Sequence, residues 1–256
     1  MAVFDENLET LEDLGRDNLK LIQSKSGFRF GEDTVLLSWF VAENMRLRRS
    51  RPIRALELGT NCGAASILLS GRRKDMLIDG VERQKEASEI FRRNITLNHL
   101  EDRVRGFQMD LRDLPSDDLP KNTYDTVFMN PPFRKQGRGP MTGNSNQALL
   151  ESRFAIHGDA VDFMACAYKM LVPSGDMFLV DRAEAFPELI SACSKLHLAP
   201  KKVTFVHPYQ DKEATLILLQ AKKDGKMHGA VVTAPLILRN EDRKYTEETK
   251  KIYGEV

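Results

Sequence analysis

The chain is poor in cysteine and shows no way of using what it has. Its 256 residues include only Cys62, Cys166 and Cys193. These are too scattered for a metal-ligand spacing and too few for a disulfide framework. The five histidines form no ligand pair either, so no metal is expected. No apolar run is long enough to cross a bilayer, and the first residues do not have the form of a signal. A cytoplasmic protein without a membrane partner is therefore expected. An excess of one charge is also missing. Lysine and arginine number 38 against 37 acids, which disfavours indiscriminate nucleic-acid binding but leaves room for one basic face.

What is present fits one α/β unit. Apolar residues make up 41% of the chain, enough for a sheet covered on both faces. Runs near 54–58, 77–82, 103–109, 124–129, 176–181, 202–207 and 214–220 read as seven strands. Helical patterns fall between them. Residues 86–97 are amphipathic, and 159–171 place Val161, Met164, Ala165, Tyr168 and Leu171 at helical spacing. Pro173-Ser174-Gly175 ends the second pattern. Residues 201–206 and 214–219 form a hairpin around Pro208. Residues 1 to about 50 read as a helical or irregular lead-in. The stretch 134–152 has no apolar period and is expected to stay mobile until substrate binds.

The most informative local feature is Asn130-Pro131-Pro132-Phe133 at the end of the run Thr126-Val127-Phe128-Met129. Pro131 restrains Asn130 to extended backbone, Pro132 does the same for Pro131, and each ring fixes its own φ. The product is a stiff shelf bearing a side-chain amide oxygen, carbonyls that no ladder uses, and an aromatic face. A planar amine suits it: two acceptors take the two N–H hydrogens, and the ring stacks on the attached π system. The plain alternative is a proline-rich strand terminator with a core phenylalanine.

A second feature lies upstream. Residues 54–69 read as strand, tight turn and helix, with Gly59-Thr60-Asn61-Cys62-Gly63 in the turn. Nucleotide-like ligands sit at such turns in open α/β sheets. The glycines are spaced G-x-x-x-G, not as the dinucleotide G-x-G-x-x-G. Glu57 just before the turn would repel a pyrophosphate and attract an ammonium or sulfonium. The next strand ends in Glu82, placed to accept from ribose hydroxyls. The one after ends in Asp110, placed to accept from an adenine amino group. Each acid alone reads as well as a solvated strand-end residue. Three at successive strand ends, followed by the shelf on the fourth, favour a site.

These residues together resemble the class I S-adenosylmethionine-dependent methyltransferases that carry the Asn-Pro-Pro-Tyr/Phe motif. Within them the chain is most similar to the tRNA adenine-N6 methyltransferases that modify the adenosine beside the anticodon of a valine tRNA. The likeness extends to residues 23–37, to 206–214 and to a tail containing Tyr245 and Tyr253-Gly254. It implies an α/β, Rossmann-like seven-stranded sheet, mostly parallel with a reversed C-terminal strand and helices on both faces. It implies one domain over 1–256, with 1–50 covering the cofactor and 221–256 as a tail. The cofactor implied is S-adenosyl-L-methionine, and the partner is tRNA.

The resemblance also assigns roles. Gly59, Thr60, Asn61 and Gly63 surround the methionine portion, with Glu57 facing its amino group. Glu82 and Arg83 fall at the ribose, and Asp110 and Leu111 at the adenine. Arg29, Phe30, Gly31 and Asp33 come over the cofactor, with Arg29 as partner of its carboxylate. Asn130, Pro131, Pro132 and Phe133 are the catalytic shelf, and Asn130 also touches the cofactor. Arg134, Lys135, Arg138 and Arg153 are candidate RNA contacts. Arg46, Arg48, Arg49, Arg51 and Arg54 read as a solvated face, and Lys222, Lys223 and Lys226 as a surface turn. Where the family usually has another glycine, this chain has Thr60-Asn61-Cys62; asparagine tolerates the left-handed conformation better than most residues. Three readings stay open: an adenine-N6 methyltransferase on tRNA, a methyltransferase on another nucleobase or a protein glutamine, and a cofactor- and RNA-binding module without turnover.

Overall fold

A computed structural model describes residues 4–27, 29–46, 51–132 and 159–255. The chain opens with a hairpin, β1 (Glu9–Asp13) and β2 (Lys20–Ser24), and then α1 (Glu32–Asn44). The main alternation follows: β3 (Ile53–Leu58), α2 (Ala64–Arg72), β4 (Met76–Glu82), α3 (Lys85–Leu97), β5 (Val104–Gln108) and β6 (Tyr124–Met129). After these come α4 (Ala160–Met170), β7 (Leu171–Arg182), α5 (Phe186–Lys195), β8 (Leu198–Tyr209) and β9 (Leu216–Lys223). Two short strands, β10 (Val231–Val232) and β11 (Leu236–Arg239), and a final helix, α6 (Glu247–Tyr253), complete it.

The main sheet runs β10-β8-β9-β7-β6-β3-β4-β5, with β11 also on β8. It is parallel except at β9, which is antiparallel to both β7 and β8. All seven expected strands are present, and the reversed one is the expected second arm of the hairpin. Among the described residues the sheet has nine strands rather than seven, because β10 and β11 both add in parallel along β8. The lead-in is corrected too. It holds a β-hairpin before its helix, with Leu21 and Ile22 of β2 fully buried.

Both faces of the sheet are covered, as the long apolar runs require. One core contains Phe40 of α1, Phe91 of α3, Phe128 of β6 and Phe178 of β7. The other contains Tyr124, Val127 and Met129 of β6 with Phe163 and Met164 of α4. From Val127 to Met129 strand β6 sends alternate side chains to opposite cores, as the two-residue period of a strand dictates, while the register shift between Tyr124 and Thr126 puts Tyr124 in the core of Val127 and Met129. From β3 the chain winds outward through β4 to β5, then returns to β6 on the other side of β3. That reversal leaves a crevice at the carboxyl ends of β3 and β6.

Two basic groups differ from expectation. Lys223 belongs to β9 and is buried, its ammonium satisfied by the Leu171 carbonyl at 2.9 Å and Asn122 at 2.8 Å. Lys222 pairs with buried Asp176 at 2.7 Å. In the arginine cluster, Arg51 grips Asp125 with two bonds of 2.7 and 2.8 Å, and Arg54 lies over the Tyr124 ring. Arg48 and Arg49 lie outside the described residues.

Candidate active site

The turn after β3 is built from left-handed residues. Gly59, Asn61 and Gly63 have φ of 71°, 51° and 84°. The Gly59 and Thr60 N–H groups both donate to the Val81 carbonyl, at 2.9 and 3.1 Å, tying the turn to β4. The Gly63 N–H closes it on the Thr60 carbonyl at 2.8 Å. A Cβ on Gly63 would stand 1.9 Å from the Phe91 ring, so the helix beneath enforces glycine there. Asn61 holds the left-handed place in the middle of the loop, as its side chain permits.

Three acids stand at the ends of β3, β4 and β5. Glu57 is 3% exposed and accepts from the Ser66 N–H at 3.0 Å and from the Ser66 hydroxyl. Burial pushes its carboxyl up to about 8, against the pull of the Ser66 bonds. Glu82 accepts the Asn61 N–H at 2.9 Å on one oxygen and the Gln84 N–H at 2.7 Å on the other. Burial raises its pKa as well. The Arg83 N–H draws on the same carboxylate, so three backbone donors hold it in place and it keeps lone-pair room for a ligand hydroxyl. Asp110 caps the single 3-10 turn Leu111–Asp113, and its carboxylate is bound by Arg112 Nε at 3.0 Å and Arg83 at 3.3 Å. The Arg112 guanidinium holds it below the usual carboxylate range.

At the end of β6, Asn130 is half-buried and Pro131 buried. The Asn130 amide nitrogen donates to Asp33 Oδ2 at 3.0 Å and to Thr34 Oγ1 at 3.4 Å. Phe133, Arg134, Lys135, Arg138 and Arg153, together with the rest of the loop 134–152, lie outside the described residues.

One cleft of about 1490 Å³ joins these elements. Its wall includes the predicted Phe30, Glu57, Gly59, Thr60 and Asn61. Glu82, Arg83, Asp110 and Leu111 follow along the next strands, and Asn130, Pro131 and Pro132 close it. Four predicted residues are not in the wall. Gly63 faces Phe91, Asp33 is bound to the Asn130 amide with Gly31 against its side chain, and Arg29 pairs with Glu12 at 2.5 Å. Sequence reasoning missed Ser26, Gly27, Thr34, Phe163 and Arg182, which do line it. Arg182 could have been found as the last residue of β7, the strand beside the shelf. Among the described residues no group of three or more His, Cys, Asp or Glu could hold a metal ion. All three cysteines are buried, and burial pushes each thiol up to about 12, so none is a nucleophile at neutral pH.

Known proteins resemble this arrangement. Residues 35–191, more than half of the chain, match the family model described as Methyltransferase small domain. A protein of Pectobacterium carotovorum named tRNA1(Val) (adenine(37)-N6)-methyltransferase is 25% identical over 224 residues, covering 87% of this chain and 84% of its own. One of the same name from Parabacteroides distasonis is 26% identical over 231 residues, 88% of each. Among solved structures, an Agrobacterium tumefaciens protein titled a predicted O-methyltransferase superposes with a TM-score of 0.66 at 23% identity, covering 86% of this chain and 95% of that one. TYW2 of M. jannaschii, in complex with AdoMet, gives 0.56 at 14% identity over 86% and 88%. These two share the fold.

Proposed function

The chain belongs to the methyltransferase small domain family, and from that premise we propose that it transfers a methyl group from S-adenosyl-L-methionine to the exocyclic N6 of an adenosine in tRNA. The printed names of the sequence relatives support the acceptor. The observation that carries the chemistry is the Asn130 amide, held by its nitrogen on Asp33 at the end of β6, in the same cleft as the Gly59–Gly63 turn.

The cleft's donor set fits the cofactor. Glu82 and Asp110 give its floor acidic groups at two adjacent strand ends, and Glu57, held largely protonated by burial, adds a carboxyl at the third. Such a wall repels a pyrophosphate and suits a cationic ligand with a ribose diol. Glu82 would take the diol, the Gly59–Gly63 turn the methionine portion, and Leu111 and Met109 would flank the base. Bound there, S-adenosyl-L-methionine supplies a methyl group already activated by its sulfonium. The residues of this chain then act on the acceptor. An exocyclic adenine amine has its lone pair delocalised into the ring. Asn130 Oδ1 and the Pro131 carbonyl accept its two hydrogens, favour a pyramidal nitrogen and stabilise the positive charge that grows on it. The rigid Pro131-Pro132 backbone fixes both acceptors in space, which supplies alignment. The nitrogen gives up its extra proton to water after the transfer, so no side chain is assigned as general base.

In this reading Phe133 stacks on the extruded base. Arg134, Lys135, Arg138 and Arg153 contact phosphates around it. The whole chain acts as one domain, with 1–50 over the cofactor and 221–256 buttressing the sheet. A cytosolic setting accords with three reduced thiols.

Incubation of the protein with methyl-labelled cofactor and unmodified bacterial tRNA, followed by nucleoside analysis, tests the proposal. N6-methyladenosine is the expected product. Label in another nucleoside refutes the adenine acceptor. No label, with cofactor binding intact, refutes methylation of tRNA.

A further inference from the structure

We infer that Asp33, on the first turn of α1, is a positioning residue that decides which end of the Asn130 amide faces the acceptor; the inference rests on the methyl-transfer reading. Asn130 Nδ2 lies 3.0 Å from Asp33 Oδ2 and 3.4 Å from Thr34 Oγ1. An asparagine amide presents nearly the same shape in either orientation, with a donor at one end and an acceptor at the other. A carboxylate can only accept. Its partner must be the NH₂ end, so the carbonyl end is turned away from Asp33. Without Asp33 the donor end could face the amine of the acceptor, and the shelf would repel the group it must hold.

Asp33 is itself fixed. Its other oxygen accepts the Thr34 N–H at 2.8 Å, leaving Oδ2 for Asn130. Gly31 makes room for this side chain, since a Cβ there would lie 3.0 Å from Asp33 Oδ1. The Phe30 N–H donates to Gln23 Oε1 of β2 at 3.1 Å and pins the run to the hairpin. Gly31, Asp33 and Thr34 therefore form a bracket for Asn130. The charge adds a second effect. A carboxylate on the amide N–H polarises the amide and raises electron density on Oδ1. That oxygen is the one proposed to meet the developing positive charge.

The test compares the wild type with Asp33→Asn, Asn130→Asp and the double variant, measuring kcat on tRNA and the cofactor Kd. Asp33→Asn can bond Asn130 in either orientation. It is expected to lower kcat about tenfold while the cofactor Kd changes by less than about twofold. Asn130→Asp sets two carboxylates against each other and is expected to cost about a hundredfold or more. Adding Asp33→Asn to it restores one donor facing one acceptor, and recovers about tenfold. An Asp33→Asn kcat equal to wild type overturns the inference, as does a double variant no faster than Asn130→Asp. Thermal unfolding of each variant separates misfolding from misorientation.

A second readout needs neither cofactor nor tRNA. In a heteronuclear NMR spectrum of the isotope-labelled protein, the Asn130 NH₂ pair, identified by its loss in Asn130→Ala, should show one proton shifted and protected from exchange. Asp33→Ala should abolish that signature. If it does so while the wild type transfers no methyl group, the orientation stands and the functional reading falls. A signature indifferent to Asp33→Ala overturns the inference itself.

Discussion

Asn94 of α3 and Ile22 of β2 exchange two hydrogen bonds. The Ile22 N–H donates to Asn94 Oδ1 at 2.7 Å, and Asn94 Nδ2 donates back to the Ile22 carbonyl at 2.9 Å. A side-chain amide stands where the backbone of a neighbouring strand would. One helical turn on, Asn98 repeats the exchange with Lys20, at 2.8 Å in both directions. The edge of β2 that faces away from β1 is thereby closed by a helix. Asn94 also donates to the Cys62 carbonyl at 2.9 Å. Hairpin, helix and the turn after β3 meet at one fully buried side chain.

Asn94→Leu should therefore harm stability and cofactor binding together. The change keeps the volume but strands the Ile22 N–H, the Ile22 carbonyl and the Cys62 carbonyl without partners. A loss of about 3 kcal/mol is expected from those unpaired groups. Asn98→Leu, at the exposed end, should cost about 1 kcal/mol. Urea unfolding measures both, and calorimetry with the cofactor should show weaker binding only for Asn94→Leu.

The turn after β3 offers a sharper pair. Gly63→Ala meets both a φ of 84° and a ring atom 1.9 Å from the new Cβ. It should lose more than about 2 kcal/mol and most cofactor affinity. Asn61→Gly should be tolerated to within a few tenths of a kcal/mol, because φ is already 51°. Asn61→Ala should cost about 1 kcal/mol. Equal behaviour of the glycine and alanine variants at 61 would show that backbone conformation is not what selects asparagine there.

Glu57 should make stability fall as pH rises. Its carboxyl titrates at about 8 in the folded chain, pushed up by burial, against a free value of 4.5. Between those values the native state keeps a proton that the unfolded chain has released. Its contribution is complete below about pH 4.5 and is lost as pH climbs through about 8, with a slope of up to about 1.4 kcal/mol per unit. Glu82 and Asp181, also raised by burial, act in the same direction, Asp181 only up to about 6. Glu57→Gln keeps both Ser66 bonds and removes the titration. Urea midpoints at several pH values between 5 and 8.5 should flatten in the variant, which should be the more stable protein at pH 8.

The parts of this architecture that were legible in the sequence have a common physical origin. Parallel strands buried on both faces write continuous apolar runs, and their ends mark the cleft, so Glu57, Glu82, Asp110 and Asn130 could be placed from the chain alone. Asn61 could be read because a left-handed turn has few acceptable residues. The illegible parts depend on distant partners. The strand β1, Glu-Thr-Leu-Glu-Asp, has three charged residues in five and among the described residues pairs only with β2, whose other edge is held by side chains. Lys223 looks like a surface residue until Leu171 and Asn122 supply acceptors for it. Asp33 enters the sequence reading only through the family resemblance, because nothing local ties it to Asn130, 97 residues away.

The C-terminal segment should matter to the site through the same bracket. Glu32, the neighbour of Asp33, is bound by Arg239 of β11 and accepts from the Tyr245 hydroxyl at 3.2 Å. Tyr245 stacks in turn on Tyr253 of α6, with ring centroids 5.0 Å apart. The first turn of α1, which carries Asp33, is therefore clamped by residues beyond the 35–191 segment that matches the family. The Arg239–Glu32 pair is partly solvated, with side-chain exposures of 25% and 36%. Its worth in stability should be screened to about 1 kcal/mol or less. Its effect on turnover should be larger than that figure suggests, because a small shift of Asp33 misaligns the Asn130 oxygen. Arg239→Met and Glu32→Gln should each lower kcat several-fold with little change in cofactor Kd, and the double variant should do no further harm. Additive losses in kcat would mean that the two residues act separately, and that the tail does not reach the site through α1.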